Sequence, residues 1–214
     1  MTTNDVRLTV TADKLAKMAV FRRREETRYY LCGVLVEPHD EGALMVAADG
    51  HMLAAWLDRD GACAAPTIVA WPRYLADLCR PDRSAGPLFD NRRRMVRVTG
   101  STAEVFDVVE RKGEAPADEQ VGTVANVVVD ADYPDWRRVT QPVPQSDGSA
   151  VFFNPALLAR LAKITPKHKA LQVSLSLPSA PARITMPDEP DFYAIVMPMR
   201  GSEYVKPSWL EARP

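Results

Sequence analysis

Three cysteines and three histidines leave little material for most kinds of site chemistry. Cys32, Cys63 and Cys79 are odd in number and fit no zinc-ligand spacing, so reduced thiols in a cytoplasmic protein are expected. His39 and His168 sit in loop-like contexts with no partner pattern, which leaves a metal site short of ligands. The ten glycines form no phosphate-cradling loop, and no Ser or Cys occupies an elbow-like setting. Catalysis, a metal and a cofactor are therefore not expected. The longest apolar runs fall far short of a membrane span. Met1-Thr2-Thr3-Asn4-Asp5 has neither the basic start nor the apolar stretch of a signal peptide. No membrane partner is expected. Charge of one sign is also missing: 27 Lys and Arg against 28 Asp and Glu give a net charge of −1. A nucleic-acid surface on such a chain would require its signs to be segregated.

What the 214 residues do contain is one order of elements met three times. The first unit begins with an alternating strand, Arg7 to Thr11, followed by a helix from Ala12 to about Glu25 with Thr11 as N-cap. Strands from Tyr29 to Glu37 and Ala43 to Leu57 follow, the second bent or broken at Gly50. The second unit has a strand from Thr67 to Trp71 and a short helix from Pro72 that stops before Pro81. Strands Met95 to Thr99, Ala103 to Glu110 and Val121 to Val129 complete it. The third has a strand from Ala150 to Phe153 and a helix from Pro155 to about Ile164, capped by Asn154 and ended by Pro166. Strands Leu171 to Leu177, Ala182 to Met186 and Phe192 to Met197 close it. Lys112 to Gln120 reads as a long hairpin loop and Gln141 to Gly148 as a linker. The fold class is α+β.

Each helix has an apolar stripe and a basic face at about 100° per residue. Lys14, Lys17 and Arg24 share a sector of the first, away from Leu15, Met18 and Ala19. Arg73 and Arg80 line up on the second, and Arg160 and Lys163 on the third, opposite Leu157, Leu158, Leu161 and Ile164. Acids collect elsewhere, between Glu37 and Glu41, Glu114 and Glu119, and Asp188 and Asp191. One basic helix face is ordinarily only solvated; three in a chain of near-zero net charge are also what a phosphate-facing surface requires. Arg92-Arg93-Arg94 reads as a solvated turn before a strand, or as a further backbone contact. In Asp49-Gly50-His51, Gly50 permits a bend and His51 packs or hydrogen-bonds beside it.

Four segments carry a resemblance. Arg28-Tyr29-Tyr30-Leu31-Cys32-Gly33-Val34, Val46 to Ala54 around Asp49-Gly50-His51, and Tyr133-Pro134-Asp135-Trp136-Arg137-Arg138-Val139 resemble the middle domain of the bacterial DNA polymerase III β subunit, the sliding clamp. Val196-Met197-Pro198-Met199-Arg200 resembles its carboxyl terminus. The resemblance implies a DNA-clamp fold of βαβββ units, with helices on one face and antiparallel sheets on the other. It implies a non-enzymatic processivity factor that encircles or cradles double-stranded DNA. It also implies a pocket for DNA polymerase and clamp-loader peptides, made here by Leu31, Ala48, Gly50, His51, Met52, Leu53, Pro134, Arg138, Val139, Ile195, Val196, Met197, Pro198 and Met199. The DNA-facing set would be Lys14, Lys17, Arg24, Arg28, Tyr29, Tyr30, Arg73, Arg80, Arg160 and Lys163.

The family chain has six units and this one about three. Residues 1–140 correspond to a middle-type domain, 141–148 to a linker, 149–200 to part of the carboxyl-terminal domain and 201–214 to an additional tail. Cys32, Ala48 and Met52 stand where the family usually has Asn, Thr and Arg. Two functional readings remain open: a reduced clamp, which would form a homo-oligomer to close a ring, and an adaptor or decoy that keeps the pocket without encircling DNA. The tail, with Trp209 and Leu210, is a candidate occupant of the pocket or of a subunit interface.

Overall fold

The computed structural model describes residues 6–80, 92–110, 115–140, 151–175 and 180–201. The linker expected at 141–148, the first residues of the 112–120 loop and the tail beyond Gly201 lie outside the described residues.

The strand β1 (Val6–Thr11) runs into the helix α1 (Ala12–Met18). This helix is shorter than its periodicity predicts, because Ala19 to Phe21 continue as tight turns that bury Ala19 and Phe21 in the core. A 3-10 segment, Glu26–Leu31, occupies what reads as the start of a strand, and β2 begins only at Gly33 (Gly33–His39). Gly33 is required where it stands, since a Cβ there would lie 2.7 Å from the Val69 carbonyl oxygen. The long run expected from Ala43 to Leu57 is two strands, β3 (Gly42–Ala48) and β4 (Met52–Asp58), folded into a hairpin at Asp49–His51. There follow β5 (Ala62–Cys63), β6 (Thr67–Ala70), α2 (Arg73–Leu78), β7 (Arg92–Thr99), β8 (Thr102–Val109), β9 (Ala117–Val124) and β10 (Val128–Val129). The third unit supplies α3 (Pro155–Ile164), β11 (Gln172–Ser174), β12 (Ala182–Met186) and β13 (Glu189–Val196). Asn154 caps α3 as predicted, its side chain accepting from the Ala156 amide at 3.0 Å. The strand expected at Ala150 to Phe153 is reduced to one bridge, Phe152 with Met199.

Among the described residues two antiparallel sheets result, in the orders β5-β1-β7-β8-β9 and β10-β6-β2-β3-β4-β13-β12-β11. The first two units exchange their leading strands. β1 pairs with β7 of the second unit, and β6 pairs with β2 of the first. The third unit extends the larger sheet, with β13 paired against β4.

One core joins the inner faces of both sheets to residues of the three described α-helices: Leu15 and Met18 from α1, Leu75 from α2, Leu161 and Ile164 from α3. Trp56 sits in it edge-on to Phe192 at 5.1 Å between centroids, which locks β4 to β13. All seven residues of β4 are buried, so this strand is covered on both faces. Its outer side belongs to a second, smaller cluster with Leu35, Leu53, Ala55, Ile68 and Ile195, over which Ala131, Tyr133 and Trp136 pack.

Arg92, Arg93 and Arg94 form no turn. They open β7, and each faces a carboxylate: Glu119 at 3.7 Å, Asp60, and Asp107 at 2.8 Å. Cross-strand register puts Arg94 directly opposite Asp107, which the triplet could not reveal without its partner strand. Residues 117–120, taken for loop, are the first half of β9.

Candidate functional site: an apolar groove and its basic neighbour

The outer cluster does not close completely. Between the β3–β4 hairpin, the end of β13 and the crossing segment 133–139 lies a groove of about 250 Å³. Leu31, Ala48, Gly50, His51, Met52, Leu53, Pro134, Val139, Ile195 and Met197 border it, ten of the fourteen residues expected there.

Strand alternation explains which expected residues point away. Leu53 pairs with Ile195 and Met52 with Val196 across the β4–β13 seam. Leu53 and Ile195 face outward, while Met52 and Val196 put their side chains into the inner core. Met52 therefore touches the groove's edge, and Val196 does not line it. Arg138 is exposed on a 3-10 turn, and Pro198 and Met199 lie past the groove, Met199 held by its bridge to Phe152. Five further residues complete the lining: Arg28, Tyr30, Tyr133, Asp135 and Trp136. Tyr133 and Trp136 were visible in the sequence as aromatics bracketing Pro134, but only the crossing of that segment over the sheet gives them a role.

The crossing segment is pinned at Glu37 on β2. Its carboxylate accepts from the Trp136 indole at 3.1 Å and from Arg137 at 3.0 Å and 3.4 Å. The Arg137 guanidinium also stacks 4.4 Å from the Trp136 ring centroid. Burial holds the Tyr133 phenol well above its ordinary pKa, so it stays neutral beneath this segment.

The hairpin that walls the groove is built on Asp49. One carboxylate oxygen accepts from the His51 and Met52 amides, both at 2.8 Å. Gly50 takes φ = 96°, a left-handed conformation that suits glycine. The His51 carbonyl accepts from the Met197 amide at 2.8 Å, which stitches the turn to the end of β13. On the other side of this turn lies a polar cleft lined by Arg23, Arg24, Asn154 and Arg160.

The ten cations and tyrosines expected to face DNA divide. Lys14 is drawn to the fully buried Asp58 at 3.2 Å, and Arg160 is bonded to Asp49. Lys17 bridges Asp13 at 2.6 Å and lies 5.5 Å over Trp56. Arg28 and Tyr30 line the apolar groove, and Tyr29 is exposed beside them, edge-on to Tyr30. Arg73 and Arg80 are exposed and flank Asp77 on α2, while Arg24 and Lys163 are exposed. Helical periodicity had put Lys14 and Arg160 on solvated faces. The carboxylates that claim them, Asp58 at the end of β4 and Asp49 in the β3–β4 turn, are distant in sequence and were out of its reach.

No group of His, Cys, Asp and Glu suited to a metal occurs among the described residues. No described helix is long and apolar enough to cross a membrane.

No family model matches the chain, and no curated protein matches it. Solved structures do. A DNA polymerase III subunit β sliding clamp from Pseudomonas aeruginosa, bound to griselimycin, superposes with a TM-score of 0.64 at 16% identity, covering 94% of this chain and 67% of that one. The Bartonella birtlesii clamp, also bound to griselimycin, gives 0.61 at 18% identity over 94% and 68%. The DNA polymerase III β subunit of Thermotoga maritima gives 0.58 at 16% identity over 94% and 67%. The fold is that of the bacterial sliding clamps, in a chain spanning about two thirds of theirs.

Proposed function

We propose that this chain, having the sliding-clamp fold, is a shortened member of the DNA polymerase III β family that acts without catalysis as a processivity factor. It would hold double-stranded DNA by its basic surface and a polymerase by a peptide seated in the apolar groove. The observation that carries the reading is the groove itself. Leu53, Ile195 and Met197 form an apolar floor on the outer face of a sheet whose inner face is fully packed, and Tyr133, Pro134 and Trp136 roof it. Apolar walls with a few polar groups at the rim suit a short peptide better than a small polar metabolite. An adaptable Met at the mouth suits several partners.

A second reading, an adaptor that keeps the groove without encircling DNA, has an observation of its own. Lys14 and Arg160 are engaged by carboxylates, which leaves fewer cations for phosphate than the helix faces promise.

One pair of measurements separates the two. A fluorescein-labelled clamp-binding peptide from a polymerase III catalytic subunit should bind saturably, and Met197→Ala should weaken it. A nicked circular duplex should retain the protein and release it when cut to a linear form. Peptide binding without such retention favours the adaptor. Absence of peptide binding by the unaltered chain contradicts both readings.

A further inference from the structure

The apolar groove and the polar cleft share one wall, the turn Asp49–His51, and His51 borders both. The groove's shape at that wall depends on a carboxylate that is itself nearly buried, Asp49 being 7% exposed. A buried carboxylate needs both its oxygens satisfied. One oxygen of Asp49 caps the turn through the His51 and Met52 amides. The other is taken by the Arg160 guanidinium, from α3 and 111 residues away in sequence. Arg23 adds a contact to the Asp49 carbonyl at 3.3 Å. The turn then passes its position to β13 through the bond from the Met197 amide to the His51 carbonyl.

We infer that Arg160 is a positioning residue for the groove: acting through Asp49, it holds the His51–Met197 wall from the far side and ties groove geometry to the placement of α3. The inference rests on the reading that the groove binds a peptide. Without Arg160 the carboxylate loses its only cationic partner among the described residues, and it gains by turning toward the solvent-open cleft. That movement takes the cap away from the His51 and Met52 amides and loosens the wall. Arg160 is thereby removed from the set of residues available to DNA phosphates, although it lies on the basic face of α3.

The test uses the full chain, the fluorescein-labelled polymerase peptide and four variants. Asp49→Asn keeps an oxygen to cap the turn and removes the charge. Arg160→Gln removes the other half of the pair, and Arg160→Lys returns a cation without the planar fork. Lys167→Gln removes an exposed cation outside both cavities and controls for charge. Arg160→Gln should weaken the peptide about five- to tenfold; Asp49→Asn, which keeps the cap and only weakens the tie to Arg160, should weaken it less, and adding it to Arg160→Gln should cause no further loss, the signature of one shared interaction. Arg160→Lys should regain part of the loss, and Lys167→Gln should bind as the unaltered chain does. Full affinity in Arg160→Gln, or additive losses in the double variant, overturns the inference. Amide exchange gives a readout that does not need the peptide. Exchange at His51 and Met52 should quicken about tenfold in Arg160→Gln while core amides such as Val46 keep their rates. Should the unaltered chain bind no peptide, the functional reading falls, and unchanged exchange at His51 and Met52 in Arg160→Gln would overturn the positioning role separately.

Discussion

Removing the carboxylate of Glu37 should unpin the roof of the groove. Glu37 is mostly shielded, its side chain 16% exposed, and it receives the Trp136 indole and both terminal nitrogens of Arg137. A hydrogen bond to a charged acceptor is worth about 1.5–3 kcal/mol, which sets the contribution of the indole contact. Arg137 is 56% exposed, so its ion pair adds only about 0–1 kcal/mol. Glu37→Ala should then cost about 2–3 kcal/mol. A chain of this size loses about 2–4 °C in Tm per kcal/mol, which predicts a fall of about 4–12 °C. Glu37→Gln keeps a neutral acceptor for the indole and should lose about 1–2 kcal/mol, less than the alanine variant. Because the roof carries Pro134, Trp136 and Val139, peptide affinity should fall as well. The ceiling is about thirtyfold for a loss near 2 kcal/mol, reached only if the whole loss acts on roof closure. Thermal melts and anisotropy titrations of the labelled peptide measure both quantities on the same samples. A Glu37→Ala variant with unchanged peptide affinity would refute the claim that the pinned segment forms part of the binding site. An equal Tm loss in Glu37→Gln would refute the assignment of most of the energy to the indole contact.

Neutralising Arg24, Arg73, Arg80 and Lys163 together should weaken duplex DNA binding irrespective of sequence and flatten its salt dependence. Lys14→Gln should instead lower stability, since it strips the cation from the buried Asp58, and filter binding beside melts distinguishes the two outcomes. Burial pushes the Cys79 thiol from 9.0 up to about 12. The unfolded chain thus releases this proton first as pH rises, and the contribution of Cys79 to stability is present below about pH 9 and lost progressively toward pH 12. Urea midpoints between pH 8 and about 10.5 should fall less steeply in Cys79→Ala, and equal slopes would contradict this. If the tail with Trp209 and Leu210 occupies the groove, deleting residues 201 to 214 should tighten the peptide severalfold, because a tethered segment competes at high effective concentration. Unchanged affinity would dismiss the tail as an occupant.

Periodicity and punctuation made the framework legible. Asn154 with Pro155 marked the start of α3, Pro72 the approach to α2, and alternation marked β1. The errors lie where local pattern met a distant partner. Tyr29 to Leu31 is apolar enough to read as strand, but it coils into a 3-10 turn ahead of β2. Arg92 to Arg94 look like solvated punctuation until their carboxylates appear across the strands. In the groove, segment resemblance brought together runs of consecutive residues, whereas a strand presents only alternate ones. Leu53, Ile195 and Met197 therefore line it, while Val196 belongs to the core. Asp49 stands two residues before His51, where the sequence marks only the bend at Gly50. Its place in the structure is as a turn cap whose second oxygen is satisfied from another unit of the chain.

The central claim is that a polymerase peptide seats on Leu53, Ile195 and Met197. Methyl NMR of methionine-labelled protein tests it most directly, because the methionines sample different surroundings. Met197 borders the groove, Met199 is exposed but lies beyond it, and Met18 and Met45 are fully buried in the inner core. Adding the unlabelled peptide should shift the Met197 methyl saturably, with Met18 and Met45 unmoved and Met199 moving less than Met197. A spectrum in which Met197 stays fixed while the peptide binds, or in which no methyl responds at all, would contradict the account.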